Sequence, residues 1–175
     1  MMDTAKRRYA QAMEWLYIAC IGVAGVVMLV MTIIIPYGVF MRYVVNSPAS
    51  WPEPMGILLM VVFSFLGGAA AYRAKAHIAV ATFLNMLGDR NRARTELVAE
   101  IGMAIVAIFM IKWGIQLVQA TWFNTIAEFP MLSVGVTYIP IPVAGAVTLL
   151  FVIERVWCGE PPPTSFTFRD QPQLD

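Results

Sequence analysis

The sequence predicts an all-α integral membrane protein with four transmembrane helices and a short interfacial helix between the second and third. Three observations predict it. Hydrophobic residues make up 59% of the chain and charged residues 13%, against roughly 45–50% and about 25% in soluble domains. Four runs with at most one charge recur along the 175 residues. Each is near the ~20 residues that cross a hydrocarbon core about 30 Å thick at about 1.5 Å per residue. Basic residues gather in the segments between alternate runs. So few charges could not cover a water-soluble globule of this size, and the mean hydropathy of +0.71 agrees.

Residues 1–12 read as a cytoplasmic N-terminal tail carrying Lys6, Arg7 and Arg8. Residues 13–157 read as the membrane domain, with spans at about 15–41, 54–72, 98–122 and 131–155. The first run exceeds the 7–15 residues of a signal-peptide core, and no small-residue cleavage site follows it, so it reads as an uncleaved helix. The second opens at Pro54, which suits a helix first turn. Between the second and third lies the segment 77–87, HIAVATFLNML. It is too short to span and reads as a helix lying on the cytoplasmic face or packed on the bundle, stopped at Gly88. Thr95, Glu96 and Glu100 suit the start of the third span. Pro161, Pro162 and Pro163 end ordered structure ahead of a cytoplasmic C-terminal tail at 158–175.

Charge placement gives a direction. Ten of the twelve Lys and Arg residues fall in the two tails, in the segment between spans two and three, or at Arg155 where span four ends, and the opposite side carries only Arg42. By the positive-inside rule both termini are cytoplasmic. Trp15, Tyr72, Trp122 and Trp157 stand near span ends, where interfacial anchors belong.

Few residues could carry chemistry. Lys112 interrupts the third span, where translocon scales put a lysine at about 2.5–3.5 kcal/mol. It could meet a carboxylate or helix end of another subunit, or snorkel to headgroups beside Trp113. Arg42 and Glu53 bracket the first outer loop and could pair with each other or face a partner. The loop itself, with Asn46, Ser47, Pro48, Trp51 and Pro52, reads as a stiff turn. Gly67 and Gly68 open a run of small residues that permits close backbone approach. His77 is the single histidine, so a bis-His haem or multi-His metal site is excluded. Cys20 and Cys158 are far apart and read as apolar fillers. There is no Ser/His/Asp set, no Walker loop and no acidic residue within a span interior. No catalytic residue, cofactor or metal is expected. Nor is nucleic acid, since no basic stripe with interleaved aromatics exists.

Several blocks resemble a known family. Arg42-Tyr43-Val44-Val45-Asn46-Ser47-Pro48 is followed by Trp51 and Glu53, then Phe65-Leu66-Gly67-Gly68-Ala69, Ala71-Tyr72-Arg73 and His77-Ile78-Ala79-Val80. Tyr138-Ile139-Pro140-Ile141-Pro142-Val143-Ala144-Gly145 comes later. In this order the chain resembles the DctQ-type small membrane subunit of a tripartite ATP-independent periplasmic (TRAP) transporter, from about Met13 to Arg155. Pro54 and Ala81 stand where that family usually has acidic residues. The resemblance implies a bacterial inner-membrane complex with a large permease subunit and a periplasmic substrate-binding protein. It implies sodium-driven uptake of an organic acid of the C4-dicarboxylate, keto acid or sialic acid class. The small subunit would serve as scaffold among membrane lipids. Binding-protein docking would fall on Arg42, Tyr43, Trp51 and Glu53, and large-subunit contact on Lys112, Gly67 and Gly68. A stand-alone exporter and a four-helix membrane redox protein are the alternatives. The first would use a membrane-embedded Glu, whereas Glu14 is at a boundary; the second needs paired His or Cys.

Overall fold

The computed structural model describes residues 4–74 and 89–159, with residues 89–93 described by their backbone alone. Four helices are long and apolar enough to cross a membrane. Helix α1 runs Thr4–Tyr43, α2 Pro52–Arg73 and α3 Asp89–Thr121. A two-stranded antiparallel hairpin follows, β1 Thr125–Ile126 and β2 Phe129–Ser133. A short α4, Val134–Tyr138, leads into α5, Pro140–Cys158. The expected interfacial segment 77–87, with His77 and Gly88, and the tail beyond Gly159 lie outside the described residues.

Helix α1 exceeds the expected first span. Its 40 residues reach about 60 Å at the helical rise, twice a hydrocarbon core. Residues expected as an N-terminal tail are its first turns, and they dock on α5. The Tyr9 hydroxyl donates to the Leu150 carbonyl at 3.0 Å, and its ring lies 5.7 Å from that of Trp157. The buried residues of α1 are Met13, Tyr17, Cys20, Ala24 and Val27. Met31, Ile34, Gly38 and Met41 continue the stripe half-buried. Steps of four and three along the whole helix give the seam of a coiled-coil-like contact, with one face turned inward.

The helices form a thin layer. Helix α1 packs along α2, α3 packs along α5, and α5 closes against α2 and α1. The Val134–Cys158 span is the most buried of the four and the Arg94–Thr121 span the least, so α5 is central and α3 forms an edge. The α3–α5 seam is close because small residues line it. Ala107 and Ala144 are fully buried. A Cβ on Gly145 would stand 2.9 Å from Met110 Cβ, and one on Gly114 2.8 Å from Pro142 Cδ. The close-approach glycines are therefore Gly114, Gly135 and Gly145, with Gly38 of α1 set equally close to Pro52 of α2. Gly67 touches Ala24 of α1 more loosely, and Gly68 meets nothing.

The fourth span begins later than expected. Residues 131–133 belong to β2, and helix starts at Val134, capped by Ser133, whose Oγ accepts from the Gly135 amide at 3.0 Å. The same hydroxyl donates to the Trp122 carbonyl, and the Val134 amide to the Asn124 carbonyl, fixing the hairpin onto the end of α3. Pro140 lacks an amide hydrogen and separates α4 from α5.

Candidate functional site

Antiparallel connection brings the start of α1, the end of α2, the start of α3 and the end of α5 to one end of the layer. Each contributes a charged side chain there. Arg73 closes α2 and lies between the carboxylates of α1 and α5. Its Nε and Nη2 donate to the Glu154 oxygens at 2.8 Å each, and its Nη1 donates to Glu14 Oε2 at 2.7 Å. The guanidinium also lies over the rings of Tyr17 and Phe151, 5.1 and 5.5 Å from their centroids. Beside it, Glu100 of α3 accepts from the Tyr72 hydroxyl and from Arg155 Nε, the latter at 2.7 Å. Arg73 and Glu154 are almost fully buried. A buried charge is tolerated only when paired and hydrogen-bonded, and this cluster satisfies both conditions across four helices.

Three of these residues were visible in the sequence only in other roles. Arg73 and Arg155 counted toward charge asymmetry. Tyr72, expected as an interfacial anchor, is buried and turned toward Glu100 instead. Trp15, Trp122 and Trp157 are exposed. Glu14, Glu100 and Glu154 sit at matching depths at the ends of three spans; that shared depth was the available signal.

At the opposite end, Arg42 and Glu53 do pair, Nη2 to Oε2 at 3.1 Å, with both side chains exposed. Asn46 turns the loop with a positive φ of 52°, a conformation Asn tolerates better than most residues. Trp51 leans on Tyr37 with 5.8 Å between ring centroids, and Tyr43 projects outward. Below the ion pair a groove of about 350 Å³ runs between α1 and α2, floored by Met31, Ile35, Gly38 and Gly56. Lys112 stands on the exposed face of α3, its Nζ 4.6 Å from the centre of the Trp113 ring. Among the described residues no group of His, Cys, Asp and Glu could hold a metal ion.

Apolar helices, buried charges that satisfy one another and wide exposed apolar faces define a multi-pass membrane protein. The family model for the DctQ component of tripartite ATP-independent periplasmic transporters matches residues 31–160, and the chain belongs to that family. A Haemophilus influenzae protein named as a TRAP transporter small permease is 26% identical over 141 residues, 81% of this chain and 84% of that protein. The sialic acid TRAP transporter small permease protein SiaQ of Vibrio cholerae is 24% identical over 116 residues, 66% of each chain. The chain is thus a small permease component of a transporter and not an enzyme. That sets aside the membrane redox enzyme and the stand-alone exporter.

Proposed function

We propose that this chain is the scaffold half of a sodium-driven carrier importing an organic acid that a separate periplasmic protein captures. The observation that carries the reading is the fate of its charges. Among the described residues every buried ionised side chain is committed to another at one end of the layer. None of these is left within the spans to hold a carboxylate substrate or a sodium ion, and Lys112, the one ionised residue in a span interior among the described residues, lies on an exposed outer face. A carrier site would need such groups facing an interior or a cavity, so substrate and ion binding fall to the large permease. The small subunit then acts by holding that permease in the membrane.

The charged end faces the cytoplasm in this reading, because the basic residues that set topology gather there. Arg42, Tyr43, Trp51 and Glu53 then face the periplasm, where they form a docking patch for the binding protein. The relative named for sialic acid supports a sugar acid as substrate; C4-dicarboxylates and keto acids belong to the same chemical class. A reporter active only in the periplasm should work when inserted at Asn46 and fail when fused after residue 175.

Reconstitution tests the function. Vesicles holding both permease subunits, supplied with binding protein and an inward sodium gradient, should accumulate the acid, and vesicles lacking this chain should not. Uptake by this chain alone would overturn the scaffold reading.

A further inference from the structure

Helix α3 is an edge of the layer, and its outer face is not uniformly apolar. At 3.6 residues per turn, Lys112, Gln116 and Gln119 fall within about 60° of one another. All three are exposed. They lie opposite Ala107 and Gly114, which are buried against α5. The same stripe continues toward the charged end through Ile105 and Phe109, and Phe109 stacks on Trp113 with 4.4 Å between centroids. Lys112 Nζ lies 4.6 Å from the centre of the Trp113 ring, and Gln119 stands at the margin of this face, where it borders a groove with Trp122, Ile139 and Pro142.

Depth decides what covers this face. Lys112 is about 18 Å along the helix from Glu100 and about 14 Å from Thr121, so it stands near mid-span. A lysine stem can bend toward headgroups. Gln116, about 7.5 Å from Thr121, has a shorter stem and four hydrogen-bonding capacities on its amide. Lys112 and Gln116 would both face hydrocarbon if lipid covered them, with Gln119 following at the interfacial end of the helix. In membranes, polar side chains of this kind join helices to one another.

We infer that the outer face of α3 is the seat of the large permease subunit. The segment it receives is a membrane helix bearing a carboxylate, or a broken helix end with free carbonyls, set against Lys112, with amide or hydroxyl groups opposite Gln116 and Gln119. The inference rests on the scaffold reading. It adds which edge is occupied, and it gives Lys112 a protein partner instead of a lipid headgroup. The opposite edge, the outer face of α1, carries the exposed apolar residues Val26, Leu29 and Ile33; it faces lipid.

The test is photo-crosslinking in the assembled complex. A benzoylphenylalanine at position 105, 116 or 119 should capture the large subunit, and one at 26, 29 or 33 should not. Lys112→Leu should lower the large subunit recovered with this chain several-fold, and Lys112→Arg should retain it. Neither variant should shift the melting temperature of the isolated chain, because Lys112 braces nothing within it. Capture from α1 alone, or unchanged recovery with Lys112→Leu, would overturn the assignment and leave the heterodimer standing, with Lys112 snorkelling to lipid. Absence of any large subunit in the purified wild-type complex would overturn the scaffold reading as well.

Discussion

Arg73 and Glu154 face each other through two parallel hydrogen bonds of 2.8 Å, with 4% of each side chain exposed. One residue ends the second span and the other the last, 81 positions apart. Two planar groups joined in this way hold both distance and rotation, so the ends of α2 and α5 are fixed in relation to each other. Glu14 extends the grip to α1, and the adjoining Tyr72–Glu100–Arg155 cluster extends it to α3.

Removing the central cation should be costly. Arg73→Met leaves Glu154 and Glu14 facing each other without their shared partner, and breaking a buried pair in this way typically costs about 3–5 kcal/mol. Arg73→Lys should not restore stability, since an ammonium cannot donate in the paired geometry. The double variant Arg73→Met with Glu154→Met should be more stable than Arg73→Met alone, because less uncompensated charge remains. Thermal melting of the detergent-solubilised chain measures all three. A melting temperature unmoved by Arg73→Met would show that the pair adds nothing to stability.

Glycine substitutions should separate the close seam from the open faces. In Gly145→Ala the new methyl would stand 2.9 Å from Met110 Cβ and 3.0 Å from the Ala107 carbonyl oxygen. Overpacking of this kind costs about 1–3 kcal/mol. Gly25→Ala and Gly68→Ala meet open space and should leave the melting temperature of the isolated chain unchanged or slightly raised, since alanine favours helix. Equal responses at all three positions would argue against the α3–α5 seam described here.

The exposed Arg42–Glu53 pair should matter little to stability, within about 1 kcal/mol on reversing either charge. Uptake at limiting binding protein should nevertheless fall in Arg42→Glu and in Glu53→Arg. The exchange of both residues is the decisive variant. It restores the pair but reverses the pattern a docking protein meets, so uptake should stay low. Recovery of uptake in the exchanged protein would mean that the two residues serve only to brace α1 against α2.

The spans were legible because the length of an uncharged run is a local property that lipid reads residue by residue. Helix ends were less so. The hairpin at 125–133 was missed because Phe129 and Met131 continue the apolar run of the fourth span, and only pairing with β1 makes their segment a strand. The charged cluster was hidden for a different reason. Arg73, Arg155, Glu14 and Glu100 each read as ordinary boundary residues, Glu154 drew no reading at all, and their meeting depends on which helices neighbour one another. Gly67 and Gly68 drew attention because they adjoin in sequence. The glycines that allow close approach, at 38, 114, 135 and 145, are dispersed along the chain and gain meaning only from the element packed opposite them.

The span of sequence between Glu14 and Glu154 has a consequence for biogenesis. Helices enter the membrane in the order in which they are made, so Arg73 is inserted with the Glu14 carboxylate already present and the Glu154 carboxylate still to be synthesised. The nascent chain carries a half-satisfied guanidinium until α5 has been made. Closure of the cluster therefore waits on the last of its members, and a chain cut before residue 154 would leave Arg73 without its paired partner at the charged end.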